Sequence, residues 1–170
     1  MALSQDVLKI RENKRALLNE EANPKFMELA LKEAKKGMLL GEIPVGCVIV
    51  REGRVLSKGY NRRNTDKSVL AHAEISAIKK ACKKLGDFRL EDCVMYVTME
   101  PCPMCAGAIV QARIPRLIYG CKNYKAGSAG TIIDILDISG FNHRVQKEGG
   151  LLSAECGGLL KDFFGNLRAK

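Results

Sequence analysis

Only two histidines occur in the 170 residues, and one belongs to a pattern that dictates where two distant segments must meet. His72 stands in Ala71-His72-Ala73-Glu74, and thirty residues later the chain reads Pro101-Cys102-Pro103-Met104-Cys105. One imidazole and two thiols are three ligands of the kind zinc takes, and a tetrahedral ion held by three protein groups keeps its fourth position for water. If the three share one ion, the fold must bring two helix starts to a single point. Cys102 and Cys105, three apart, can face that point from one first turn, where unpaired N–H groups favour thiolates. His72 and Glu74 lie about 200° apart on an ideal helix, so they converge only if His72 sits at the irregular N-terminal edge. Glu74, free of the metal, is then placed to move protons beside a water whose pKa the metal lowers toward neutrality.

Each half has a plainer explanation when taken alone. A lone CxxC in a cytosolic protein reads as a redox pair, and a lone Glu at a helix start as a dipole partner or cap. Their joint occurrence, each half at the head of a helix, favours the metal. A structural site would need a fourth protein ligand; His143 and the remaining cysteines are available, but none repeats the CxxC spacing. Seven cysteines are an odd number in a chain of this length, so no disulfide framework is expected. Cys47, Cys82, Cys93, Cys121 and Cys156 read as small buried residues.

The surrounding pattern is that of a layered α/β domain. Asn23-Pro24 opens a helix as N-cap and first helical residue, with Met27, Leu31, Ala34 and Met38 at helical spacing and Gly41 as its stop. Val45–Val50 and Arg54–Tyr60, joined by Glu52-Gly53, read as a hairpin. A helix over 71–84 follows a loop from Asn61 to Val69. Strands are expected over 94–98, 117–120 and 144–147, and helices over 103–113, 132–136 and 153–167. Strands alternating with helices call for a sheet that is at least partly parallel.

Residues 1–23 carry four bases and four acids, so the net charge of +9 lies in the domain proper, residues 24–170. The first 23 residues read as an N-terminal extension, flexible or weakly helical. Met1–Glu21 lacks an apolar signal-peptide core, and no window approaches the ~18 apolar residues of a membrane span; the chain is expected in the cytoplasm, with no membrane partner. The basic surplus suits an anionic partner such as nucleic acid.

The combination H-x-E…P-C-x-x-C is the signature of zinc-dependent nucleobase deaminases. The sequence resembles the cytidine/deoxycytidylate deaminase superfamily, and within it the bacterial tRNA-specific adenosine deaminases of the TadA type. The resemblance runs from about Phe26 to Lys170. It is carried by Leu40–Gly46, Asn61-Arg62, Ala71–Glu74, Tyr96–Ala108, Gly127–Thr131, Phe141-Asn142-His143-Arg144 and Phe163–Arg168. The two metal motifs identify the superfamily, whereas Phe-Asn-His-Arg and the terminal Phe-Phe with Arg168 point to the tRNA branch. The sequence departs from the common form in the pocket-bordering loop before the histidine, where Ser68-Val69-Leu70 replaces the frequent Asp-Pro-Thr.

The resemblance implies a three-layer α/β/α fold around a central five-stranded mixed sheet. It implies a homodimer with one Zn2+ per subunit, loops of one subunit bordering the other's site. The implied reaction is hydrolytic deamination of the wobble adenosine to inosine in the anticodon stem-loop of an arginine tRNA. His72, Cys102 and Cys105 are the implied metal ligands and Glu74 the proton carrier. Asn61, Ala73, the backbone N–H of Cys102, His143, Phe163, Phe164 and Arg168 are the implied substrate contacts, with Arg62, Arg63, Lys122 and Lys125 as candidates for phosphate. For Phe163 and Phe164 the expectation is that one packs and the other meets RNA; for His143, that it orders its loop or touches RNA. Two other functions fit the metal motif: deamination of a free base or nucleotide, and a zinc-stabilised RNA-binding module. Charge and the terminal Phe-Phe segment favour RNA over the first, and a carboxylate that ligates nothing argues against the second.

Overall fold

The computed structural model describes residue 12 and residues 15–169. Helix α1 spans Pro24–Leu39, strands β1 and β2 span Gly46–Arg51 and Arg54–Tyr60, and helix α2 spans Ala73–Leu85. Strand β3 (Cys93–Met99), helix α3 (Pro103–Gln111), strands β4 (Arg116–Cys121) and β5 (Gln146–Gly149), and helix α4 (Ser153–Arg168) follow. The sheet order is β2-β1-β3-β4-β5. β1 pairs antiparallel with β2 and with β3, while β3–β4 and β4–β5 are parallel. This is the expected mixed sheet of five strands.

Alternation along the strands explains the two outer layers. Cys47 and Ile49 of β1, Met95 and Val97 of β3 and Leu117 of β4 pack with Ala73, Ala77, Ala106 and Ile109 of α2 and α3. The residues between them, Val48, Val50, Val94, Tyr96 and Ile118, pack on the other face with Met27 and Ala30 of α1 and Cys156 of α4. β3 is buried through most of its length, as a strand covered on both faces must be. Because β3 and β4 are parallel, the chain leaves both at the same end of the sheet, and the segments that follow them, Glu100–Cys105 and Lys122–Gly130, meet there.

Two elements differ from the sequence reading. The helix expected over 71–84 begins at Ala73, because His72 is its N-cap in extended conformation. The helix expected over 132–136 is absent: this stretch is a chain of turns with an isolated bridge between Ala129 and Asp134. Five residues are too few to form a helix without help, and Ile132 and Ile133 instead donate their N–H groups to Gly127 O at 3.0 and 3.2 Å.

Of the N-terminal extension, residues 1–11, 13 and 14 lie outside the described residues. Residues 15–19 are helical, and Leu17 and Ala22 pack on the α1/α4 core. Arg116 Nη1, at the start of β4, donates to the carbonyls of Leu17 (2.9 Å) and Glu20, while Nη2 donates to Glu148 Oε2 at 3.1 Å. This contact lies at the opposite end of the parallel strands from Cys102.

Candidate metal centre

Both expected helix starts are present, and both ligand motifs cap them. His72 is the N-cap of α2 (φ −78°, ψ 156°), and its carbonyl accepts the first intrahelical bond, from Ser76 N at 3.0 Å. Cys102 is the N-cap of α3 (φ −77°, ψ 172°), with Pro103 at the first helical position and Ala106 N donating to Cys102 O at 2.9 Å. The extended backbone at His72 resolves the 200° problem: the histidine lies outside the helix and turns back toward the side that Glu74 faces. A close approach by β2 fixes this turn. A Cβ at Gly59 would lie 2.2 Å from Ala73 O, so only glycine lets the strand lie this near the first turn of α2.

His72 Nδ1 stands 3.6 Å from Cys102 Sγ and 3.5 Å from Cys105 Sγ, and the three ligand atoms lie within 4.8 Å of one another. A tetrahedral zinc with bonds of about 2.3 Å to sulfur and 2.0–2.1 Å to nitrogen separates N from S by about 3.6 Å. The donor set and its spacing therefore fit zinc. Cys105 is fully buried, and Cys102 and His72 are half-buried, which leaves one side open for a small ligand.

The electrostatics suit the same use. The Cys102 thiol is lowered to about 4, first by a hydrogen bond from Cys105 and then by His72, against the cost of burial. Cys105 is correspondingly raised, because it supplies that bond and is buried. A lowered thiol suits a metal ligand, and a bound cation would draw protons from both thiols. Glu74 is 4 % exposed, and burial raises its pKa above the usual carboxylate value, which is what a group that must hold a proton near neutrality needs.

The other predicted residues divide. Asn61 is buried just beyond β2, where Nδ2 donates to Ile43 O at 3.2 Å and Oδ1 accepts from Arg63 N at 3.4 Å. The next residue, Arg62, donates its backbone N–H to Ala71 O at 2.9 Å, which ties the Asn61 loop to the residue preceding His72. Ala73 is fully buried in the core against α2's neighbours. Phe163 is buried and Phe164 exposed, their rings meeting edge to face at 5.4 Å. Phe164 and Arg168 line a cleft of about 690 Å³ with Lys122, Tyr124 and Lys161, between the end of β4 and α4. Arg168 is exposed, with Nε 3.4 Å from Phe164 O.

His143 is not brought to the triad. It is 8 % exposed, and its Nε2 bonds Ile114 O at 2.8 Å, beyond the far end of α3 from Cys102, a helix about 14 Å long at 1.5 Å per residue. Of the basic candidates, Arg62 is already held by Asp66 (2.8 Å) and Tyr60 OH (3.2 Å), whereas Arg63 and Lys125 are exposed.

Two buried carboxylates that the sequence reading assigned no role each hold a loop. Glu42, fully buried, accepts from Thr65 N (2.6 Å), Thr65 Oγ1 (2.7 Å) and Asn64 N (3.2 Å). Glu100, 2 % exposed, accepts from Ala129 N (3.0 Å), Thr131 N (3.1 Å) and Asn123 N (3.1 Å). Burial alone would raise both, but the donors outweigh it and both are lowered. The available signal was a charged residue set against apolar neighbours: Glu42 before Ile43-Pro44-Val45, and Glu100 at the end of an apolar strand.

The chain matches the MafB19-like deaminase family over residues 21–168. It is 45% identical over 145 residues to the tRNA-specific adenosine deaminase of Bacillus subtilis (strain 168), covering 85% of this chain and 90% of that protein. A solved structure from studies of A-to-I editing by tRNA:A34 deaminases at the wobble position of transfer RNA superposes with a TM-score of 0.78 at 40% identity, covering 81% of this chain and 99% of that one. A guanine deaminase of Bacillus subtilis is 32% identical with a TM-score of 0.58, covering 88% of this chain and 96% of that one.

Proposed function

The chain belongs to the tRNA-specific adenosine deaminases, within the MafB19-like deaminase family, and from that premise we propose that it hydrolyses the wobble adenosine of an arginine tRNA to inosine, using one zinc ion per subunit. The observation that carries the reading is the convergence of His72, Cys102 and Cys105 from two helix N-termini beside the buried, non-ligating Glu74. Zinc held there would lower the pKa of a water toward neutrality and supply it as nucleophile.

The protein's own groups account for the rest. Glu74 takes a proton from the attacking water and delivers it to N1 of the adenine ring as the C–O bond forms at C6. It then moves the remaining hydroxyl proton to the amine, the C–N bond breaks, and ammonia leaves. Each transfer uses one carboxylate that alternates between base and acid, and burial raises its pKa above the usual carboxylate value. The target base must leave its stack, which a splayed anticodon loop makes cheaper than a duplex would. In this reading Asn61, on the loop tied to Ala71, would meet it, as the resemblance implies. In this reading Phe164 and Arg168, which line the α4 cleft, would meet a neighbouring base and a phosphate.

The working unit in this reading is a homodimer in the cytoplasm. The apolar side chains Leu39 and Leu40 at the C-terminal end of α1, and Val69 and Leu70 just before His72, are 53–88 % exposed, and a second copy would cover them. No described helix is long and apolar enough to cross a membrane. The test is to incubate the protein with an arginine anticodon stem-loop and, separately, with free adenosine, cytidine and guanine. Inosine in the stem-loop alone is the expected result. Ammonia released from guanine or cytidine but not from RNA would overturn the substrate assignment.

A further inference from the structure

Glu100 is a buried charge two residues before Cys102, yet it belongs to no group of described residues placed to hold a metal. Its three backbone donors, Asn123, Ala129 and Thr131, all come from the segment that follows β4. The same segment is fastened to the next residue of the motif, because Ser128 N donates to Pro101 O at 2.9 Å. The fit is close: a Cβ at Gly127 would lie 2.4 Å from Glu100 Oε2, so a side chain there would push the segment off the carboxylate. Asn123 extends the arrangement outward. Its Oδ1 accepts from Lys125 N (3.2 Å) and Ala126 N (3.1 Å), forming a side-chain-capped turn that holds Tyr124 and Lys125 on the rim. Tyr124 is 77 % exposed.

Here one carboxylate collects N–H groups from both ends of residues 123–131 and joins them to the turn that bears Cys102. We propose that Glu100 is a positioning residue that fixes the 123–131 loop against the Pro101–Cys102 turn and thereby sets where Tyr124 and Lys125 meet the RNA carrying the target adenosine. The proposal rests on the function proposed above.

Glu100→Gln keeps the shape but replaces one acceptor oxygen with an NH2 group that faces an N–H, so at least one of the three anchors is lost. The KM for an arginine anticodon stem-loop should rise about tenfold, the equivalent of one charge-assisted hydrogen bond, while kcat changes far less and zinc content stays at the wild-type level. The double variant Tyr124→Ala, Lys125→Ala, altered only on the exposed rim, should raise KM similarly. Combined with Glu100→Gln it should raise KM by much less than the product of the two effects, because both act through one loop. A lower kcat or zinc content with KM unchanged in Glu100→Gln, or effects that multiply in the combined variant, would overturn the assignment. Should Glu100→Gln fail to fold, an unaltered KM in the rim variant overturns it alone. If the wild-type protein makes no inosine in the stem-loop, the functional reading falls first and this proposal with it.

Discussion

Replacing Glu42 by glutamine removes one charge and almost no volume, so it tests whether this fully buried carboxylate holds the Asn61 loop in place. In the native protein one oxygen accepts from Thr65 N and Thr65 Oγ1 at 2.6 and 2.7 Å, and the other from Asn64 N at 3.2 Å. A glutamine oxygen can keep both Thr65 bonds, but each changes from a bond to an anion, worth about 1.5–3 kcal/mol, to a neutral one worth about 1 kcal/mol. The amide nitrogen then faces the Asn64 N–H, a lost bond with an unsatisfied donor, at about 1–3 kcal/mol. Glutamine also avoids burying a charge, which offsets part of this, leaving a net loss of about 2–3 kcal/mol. For a chain of this length that is a fall in Tm of about 5–10 °C. The pH dependence gives a second, independent check. The folded pKa of Glu42 is lowered from 4.5 by its donors, so its contribution is fully present above the unfolded value and is lost as pH falls through the folded one. The Tm gap between the two proteins should therefore be constant at neutral pH and narrow below about pH 4.5. Thermal melts of both proteins across pH 3–7 measure it. A gap below 2 °C at pH 7, or one that does not narrow in acid, would refute the reasoning.

Three further outcomes are expected. Metal analysis should find about one zinc per subunit, and the Cys102→Ala, Cys105→Ala double variant should contain none; unchanged zinc would sink the ligand assignment. Glu74→Gln should keep zinc and RNA affinity but lose ~10²–10⁴-fold or more in inosine formation, and near-normal turnover in the zinc-replete variant would refute its role as proton carrier. If Arg63, Lys122 and Lys125 contact phosphate, affinity for the stem-loop should fall with salt at a log–log slope of about −0.7 per contact, whereas a flat response would count against RNA as substrate.

The His72, Cys102 and Cys105 cluster that could hold a metal was legible in the sequence because its geometry is local. Cys102 and Cys105 are one helical turn apart, and His72 precedes a helix whose start the sequence marks; only the meeting of the two motifs needed the fold, which packs α2 and α3 on one face of the sheet. The sheet and most helices were legible through their periodicity. What the sequence did not display depends on tertiary partners. Ile132–Leu136 has an apolar pattern, but its backbone bonds go to Gly127 and Ser128. For His143 the expectation is that it orders its loop or touches RNA; its Nε2 bonds Ile114 O, a carbonyl that no local spacing relates to it.

Glu42, Glu74 and Glu100 are all at most 4 % exposed, and burial pushes each of them toward the protonated form. What separates their roles is the supply of donors. Glu42 and Glu100 each accept backbone N–H groups from two or three residues of a neighbouring loop, and those bonds win over burial, so both remain anions at neutral pH. A carboxylate held this way cannot carry protons, because protonation would cost it the bonds that fix the loop. Glu74 has no such set of loop donors. The lowering contributions it does have are the backbone at its own position, His72 and Cys105, and they do not overcome burial. It is therefore the one of the three that can exchange a proton without unfastening the wall around it. Glu42 and Glu100 hold their loops as anions, whereas Glu74, the residue proposed to carry the proton, fastens no loop of its own.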